Sequence, residues 1–167
     1  MQTAYLVRPA EASDIPELSA LRIAYLKEEF QNTDVPESDW GAIAAQLPDY
    51  FRTHLGIDCF PFVAEAPDDD RTLIALVILC TSEKPANLSF PNGKSGVVLS
   101  VYTKPEYRGM GCATKLMQAL LQKAESLGLD IVNLSASDMG KPIYEKLGFV
   151  RSHSKFTEME YIISHPD

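Results

Sequence analysis

The run Tyr107-Arg108-Gly109-Met110-Gly111-Cys112-Ala113-Thr114 has the residue types to hold a phosphate. Two glycines separated by one residue let the backbone approach a bulky ligand without Cβ clashes. The run follows an apolar strand-like stretch, 96–103, and leads into residues of helical periodicity. A helix starting there points unpaired N–H groups and its positive dipole end at the loop, a seat for a phosphate or pyrophosphate. The second chemical feature is Tyr144, within Pro142-Ile143-Tyr144-Glu145-Lys146-Leu147-Gly148-Phe149. A phenol can hand a proton to a leaving group. On a short amphipathic helix it can equally be a packing aromatic.

The rest of the chain must position these residues. Residues 4–7 read as a first strand. Asp14 and Glu17 have capping-box spacing, with Pro16 in the first turn. The helix they open carries Leu18, Leu21, Tyr25 and Phe30 on one side. A second helix sets Trp40, Ile43, Ala44 and Leu47 at helical spacing, and Pro48 predicts a break or kink in it. Strands over 58–66 and 72–81, joined by Pro67 to Arg71, predict an antiparallel hairpin. After the glycine loop, Leu116, Met117, Leu120, Leu121, Ala124 and Leu127 line one helix face, which Gly128 ends. A short strand over 130–135, a helix over 141–147, and closing strands at 149–150 and 159–163 complete the order β-α-α-β-β-β-α-β-α-β-β. The strands flanking the long helix read as parallel. This predicts a mixed, mostly antiparallel central sheet with helices on both faces.

The chain has 167 residues, a length that suits one domain over 1–167. A net charge of −8 argues against non-specific nucleic-acid binding. No membrane span or leader pattern is visible. Cys59, Cys80 and Cys112 are widely spaced, with no Cys-x-x-Cys and no metal pattern, and a reduced cytoplasmic compartment is expected. The charge is unevenly spread: residues 1–70 hold 14 acids and 4 bases, residues 71–167 hold 9 acids and 11 bases. The half with the glycine loop is thus mildly basic and the other strongly acidic, either as a solvated surface or as a field for a cationic ligand.

Two common phosphate sites do not fit. No Gly-Lys-Ser/Thr follows the loop, so it is not a Walker A motif. A dinucleotide fingerprint would need a glycine at Thr114, and Asp130 sits at the start of its strand where a ribose-binding acid belongs at the end.

Arg108-x-x-Gly111-x-Ala113 resembles the Arg/Gln-x-x-Gly-x-Gly/Ala signature of the GNAT N-acetyltransferase superfamily. The segment Pro142 to Phe149 resembles that family's second motif, a short helix with a tyrosine that ends in Leu-Gly-Phe. The resemblance implies a GNAT-like fold and a co-substrate, acetyl-CoA, whose acetyl group passes to a primary amine of a small molecule or peptide. It implies backbone pairing of Val101, Tyr102 and Thr103 with the pantetheine arm, and pyrophosphate contacts from the loop Arg108, Gly109, Met110, Gly111, Cys112, Ala113 and Thr114. Tyr144 would be the general acid, and Ser137 stands where the family often has a cofactor-contacting Asn. The family often places a Glu on the central strand or the strand after the long helix, and here neither strand has a carboxylate. Glu28, Glu29 and Glu65 are the substitutes considered, with Glu28 and Glu29 the candidates on the acceptor side. The acidic N-terminal half would favour a cationic amine. A homodimer is compatible with the resemblance. The alternative is a catalytically silent acyl-CoA-binding or regulatory domain of the same fold.

Overall fold

The computed structural model describes residues 5–67 and 70–165. The chain forms one five-stranded sheet, in spatial order β1 to β5. Its strands are β1 (Leu6–Pro9), β2 (Cys59–Glu65), β3 (Leu73–Glu83), β4 (Lys94–Thr103) and β5 (Ile131–Asn133). The first four are antiparallel neighbours, and β4 pairs with β5 in parallel. Helices α1 (Ile15–Glu29) and α2 (Glu37–His54) cover one face; α3 (Cys112–Ser126) and α4 (Lys141–Lys146) lie on the other. The expected mixed sheet with helices on both faces is present.

Strand β3 explains the two-layered core. Leu73 to Leu79 are all buried because both sheet faces are covered. Leu73, Leu76 and Ile78 join Leu18, Leu21 and Phe51 beneath α1 and α2. Ile74, Ala75, Val77 and Leu79 join Leu116, Met117 and Leu120 beneath α3. The spacing of the α3 residues puts them on one buried stripe, as their periodicity requires. Gly128, at φ +67°, accepts the left-handed turn that follows α3.

Strand β4 carries a bulge. Leu76 faces Tyr102 and Ile78 faces Leu99, so Ser100 and Val101 oppose a single β3 residue. Ser100 takes φ +55° and is 2 % exposed. That conformation is strained for a residue with a Cβ. The Arg22 guanidinium donates to Ser100 Oγ at 2.6 Å and holds it from α1.

The structure corrects four local expectations. The helix-opening box sits one turn earlier: the Glu11 N–H donates to Asp14 Oδ2 at 2.7 Å, around a 3-10 turn at Ala12–Asp14. Asp14 is needed by Arg8, and Glu17 instead accepts the Leu73 N–H at 3.0 Å. Helix α2 runs through Pro48. The carbonyl this leaves unbonded belongs to the exposed Ala44, where water can serve it. Residues 149–150 and 159–163 form no strand. A strand needs an edge to pair with, and β5 is three residues long, too short to template another. Phe149 packs edge-on against Tyr144 instead, and Met159, Tyr161, Ile162 and Ile163 stay exposed. Of the first strand expected at 4–7, Ala4 lies outside the described residues and the ladder starts at Leu6.

Candidate functional site

Strands β4 and β5 share a ladder over three residues, Ser95–Val97 against Ile131–Asn133. Beyond Val97, β4 runs on to Thr103 while β5 has ended. The β4 backbone groups that point away from β3 there have no strand to meet. They open onto a cleft of about 860 Å³, whose walls include Val98, Ser100, Val101, Tyr102 and Thr103.

The glycine loop forms one end of the cleft. Gly109 and Gly111 both take φ +80°, a conformation that favours glycine. A Cβ built on Gly109 would meet nothing within 4 Å, and one on Gly111 would meet only the Tyr5 hydroxyl, at 3.8 Å. The open space above both glycines is where a ligand's phosphates would fit. Gly111 caps α3, so the N–H groups of the first turn, from Cys112 on, face the same space. Gly109, Gly111, Cys112, Ala113 and Thr114 line the cleft. Met110 does not: its carbonyl accepts the Tyr5 hydroxyl at 3.1 Å, a contact that fixes the loop. Burial, with a smaller contribution from the buried Cys112 beside it, pushes the Tyr5 phenol up to about 12.

Arg108 lines the cleft but is held by protein groups. Its Nε donates to the Thr103 carbonyl at 2.9 Å and its Nη2 to Glu28 Oε2 at 2.6 Å, with the guanidinium over the Tyr102 ring. It therefore ties loop, strand and α1 together. This pairing also neutralises Glu28, one of the two acids considered for a cationic ligand. Glu29 lines the cleft too and meets the Tyr25 hydroxyl at 3.4 Å. Glu65 is elsewhere: Arg8 and Arg71 hold it at 2.6 and 3.1 Å on the far edge of the sheet.

Tyr144 reaches the cleft from α4 and is 9 % exposed. Burial raises its phenol above the ordinary value, and the neighbouring Tyr25 adds to the effect. It is thus a protonated donor at neutral pH. Among the described residues its hydroxyl has no hydrogen-bond partner, which leaves its proton available to a ligand. Two neighbours set its position. Gly140 packs so closely that a Cβ there would lie 2.9 Å from Tyr144 Cε2. Ser137 also lines the cleft, and its Oγ accepts the Gly140 N–H at 3.1 Å, shaping the turn into α4.

Tyr25 and Ser100 are among the cleft residues that the sequence did not mark. Tyr25 read as one of the apolar stripe of α1, yet its hydroxyl donates to Glu29 Oε1 at 3.4 Å at the cleft. Ser100 read as ordinary strand. A polar residue within the apolar β4 run was its one visible signal.

The comparisons with known proteins agree with this geometry. Residues 89–166 match the acetyltransferase (GNAT) domain family. No match was found among the curated proteins. Among solved structures, the chain is similar to a predicted acetyltransferase with acetyl-CoA from Clostridium acetobutylicum: 25% identity, TM-score 0.76, 93% of this chain and 96% of that one. It is similar in fold to a GCN5-related N-acetyltransferase from Ralstonia eutropha, at 24% identity and TM-score 0.73, over 95% and 98% of the two chains. It also shares the fold of glucosamine-6-phosphate N-acetyltransferase from Arabidopsis thaliana, at 20% identity and TM-score 0.62, over 93% and 97%. The segment that carries the loop and Tyr144, residues 89–166, thus matches the GNAT acetyltransferase domain family, and nearly the whole chain shares the fold of solved acetyltransferases.

Proposed function

We propose that this protein is an acetyl-CoA-dependent N-acetyltransferase acting on a primary amine. The observation that carries the reading is the end of β4–β5 pairing at Val97, beside a loop whose two glycines keep open space above them. A co-substrate arm can take the strand position that β5 leaves, along Val101 to Thr103. The pyrophosphate would sit against Gly109, Gly111 and the opening turn of α3. The loop's fit is that of a cradle: a Cβ at Gly109 would intrude on a ligand, not on protein.

Bound acetyl-CoA supplies a thioester whose carbonyl an amine can attack. The chain's own residues do three things. The β4 backbone at the bulge offers N–H groups toward the cleft, able to polarise a carbonyl oxygen without rearranging. Tyr144 holds a proton at its hydroxyl and delivers it to the departing sulfur. Glu29, which no cation holds among the described residues, borders the side from which the amine arrives and can take its proton directly or through water. Tyr144 supports the enzyme over a silent binding domain, because a buried phenol with a free hydroxyl has no evident packing need for that hydroxyl.

Two measurements test the reading. Acetyl-CoA at about 100 times its Kd should stabilise the fold by about 2.7 kcal/mol, read as a raised melting temperature. Gly111→Val, which places a branched side chain at φ +80°, should lose that rise. Free CoA should appear when a panel of amines is added. A melt unmoved by millimolar CoA would overturn the assignment, and binding without release across the panel would favour the silent domain.

A further inference from the structure

Away from the cleft, a second pair of reactive side chains meets under α2. Cys59 on β2 and Cys80 on β3 are direct cross-strand partners. Their side chains therefore project from the same sheet face, into the layer beneath α1 and α2. The ladder fixes what kind of pair this is. The Thr81 N–H donates to the Asp58 carbonyl at 2.8 Å, so the adjoining Cys59–Cys80 pair is a non-hydrogen-bonded one. Such pairs bring Cα atoms to about 4.5 Å and side chains closest. That lies within the roughly 4.4–6.8 Å window that a disulfide spans. As near neighbours the two thiols shift each other's proton affinity, Cys59 upward and Cys80 downward.

We propose that Cys59 and Cys80 are a hydroperoxide-sensitive thiol pair that closes to a reversible cross-strand disulfide within the folded chain. Exposure divides the roles. Cys59 is fully buried, whereas Cys80 is partly exposed at the sheet's end. Cys80 is the sulfur a small peroxide reaches, and Cys59 is the resolving partner. The surroundings favour the same order. The neighbouring Cys59 thiol lowers the Cys80 proton affinity below that of an ordinary thiol, and the Tyr50 hydroxyl, 3.6 Å from its sulfur, acts the same way. Arg22 adds positive charge nearby, while Asp58 and burial oppose.

In the first step Cys80 sulfur attacks hydrogen peroxide: the S–O bond forms, the O–O bond breaks, and the departing hydroxide takes up the proton that Cys80 has lost and leaves as water. In the second, Cys59 sulfur attacks Cys80 sulfur: the S–S bond forms, the S–O bond breaks, and water leaves with the Cys59 proton. Overall two thiols and one peroxide give one disulfide and two waters. The third cysteine, Cys112, lies on the opposite sheet face beside Tyr5 and is an internal control.

The test oxidises the folded full-length protein with limiting hydrogen peroxide, then unfolds and alkylates it without reductant and maps the peptides. The expected product is a Cys59–Cys80 cross-linked peptide, lighter by two hydrogens, with Cys112 alkylated and all three thiols recovered after dithiothreitol. In Cys59→Ser, with no resolving sulfur, Cys80 should accumulate as a dimedone-trappable sulfenic acid that the parent does not retain. Should that variant fail to fold, the parent's peptide map decides alone. Sulfinic acid on Cys80 with Cys59 still alkylated, or a link through Cys112 or between two chains, would overturn the proposal. The assay contains neither CoA nor amine, so its outcome is independent of the acetyltransferase reading.

Discussion

At the scale of single residues, Tyr144 is the group on which turnover should depend most. Its phenol is raised by burial, so it stays protonated through neutral and mildly alkaline pH. A rate rising from pH 7 toward 9 would thus report the amine losing its proton, not Tyr144 ionising. Tyr144→Phe removes one hydroxyl and keeps the ring that packs on Phe149. It should melt like the parent, bind CoA nearly as well and turn over about 10²-fold more slowly. Turnover equal to the parent's would mean that the thiolate departs without help from this residue. The tyrosine was legible from its motif, and the glycines from their spacing. Tyr25 was not, because helical periodicity assigns a residue to a face but not its hydroxyl to a partner. Arg108 was legible as part of the loop, yet its hold on Glu28 joins residues 80 positions apart, beyond any local pattern.

At the scale of elements, α4 is short, six residues, and its placement of Tyr144 relies on Gly140 at its start. Gly140 has an ordinary negative φ, so its need is for space rather than for backbone freedom. Gly140→Ala would set a methyl carbon 2.9 Å from the Tyr144 ring and force the ring or the helix to shift. We expect kcat to fall about tenfold or more with little change in the affinity for CoA. An unchanged kcat would show that the ring moves aside without loss of its role. The long elements were readable because period and burial agree in them, as in α3 and β3. The misread ones depend on partners elsewhere. The 159–163 run has the side chains of a strand but no edge to join, and Pro48 sits where the carbonyl it orphans faces water. The β4 bulge was invisible for the same reason: it is a property of two strands in register, and Ser100 adopts it because Arg22 arrives from α1.

Across the whole molecule, the edge opposite the cleft is pinned by charge. Arg8 on β1 meets Asp14 at 2.7 Å and Glu65 on β2 at 2.6 Å, all three largely buried. The Arg8 hydrogen bond is the main cause that holds the Asp14 carboxyl below its ordinary 3.8, against burial that would raise it. A carboxyl depressed on folding stabilises the fold fully above its unfolded value, and that stability is lost as pH falls through the folded value. Asp14→Asn should therefore cost about 2 kcal/mol at pH 7 and markedly less near pH 2, where the parent has lost the same interaction. A pH-independent difference in urea midpoints would refute this origin. At the cleft, the Arg108–Glu28 bridge joins the loop expected to hold the co-substrate to the helix proposed to border the acceptor side. Each group is a little under half exposed, so the pair contributes under about 1 kcal/mol. A contact shared by two ligand sites is nonetheless a thermodynamic link. Whatever ordering of that bridge one ligand brings about, the other receives as a change in its own affinity, and the two changes must be equal. Filling the cleft with CoA should then sharpen or weaken amine binding by a factor of about five at most, with amine altering CoA binding by the same factor. In Glu28→Gln the two binding isotherms, each measured with and without the other ligand, should become independent.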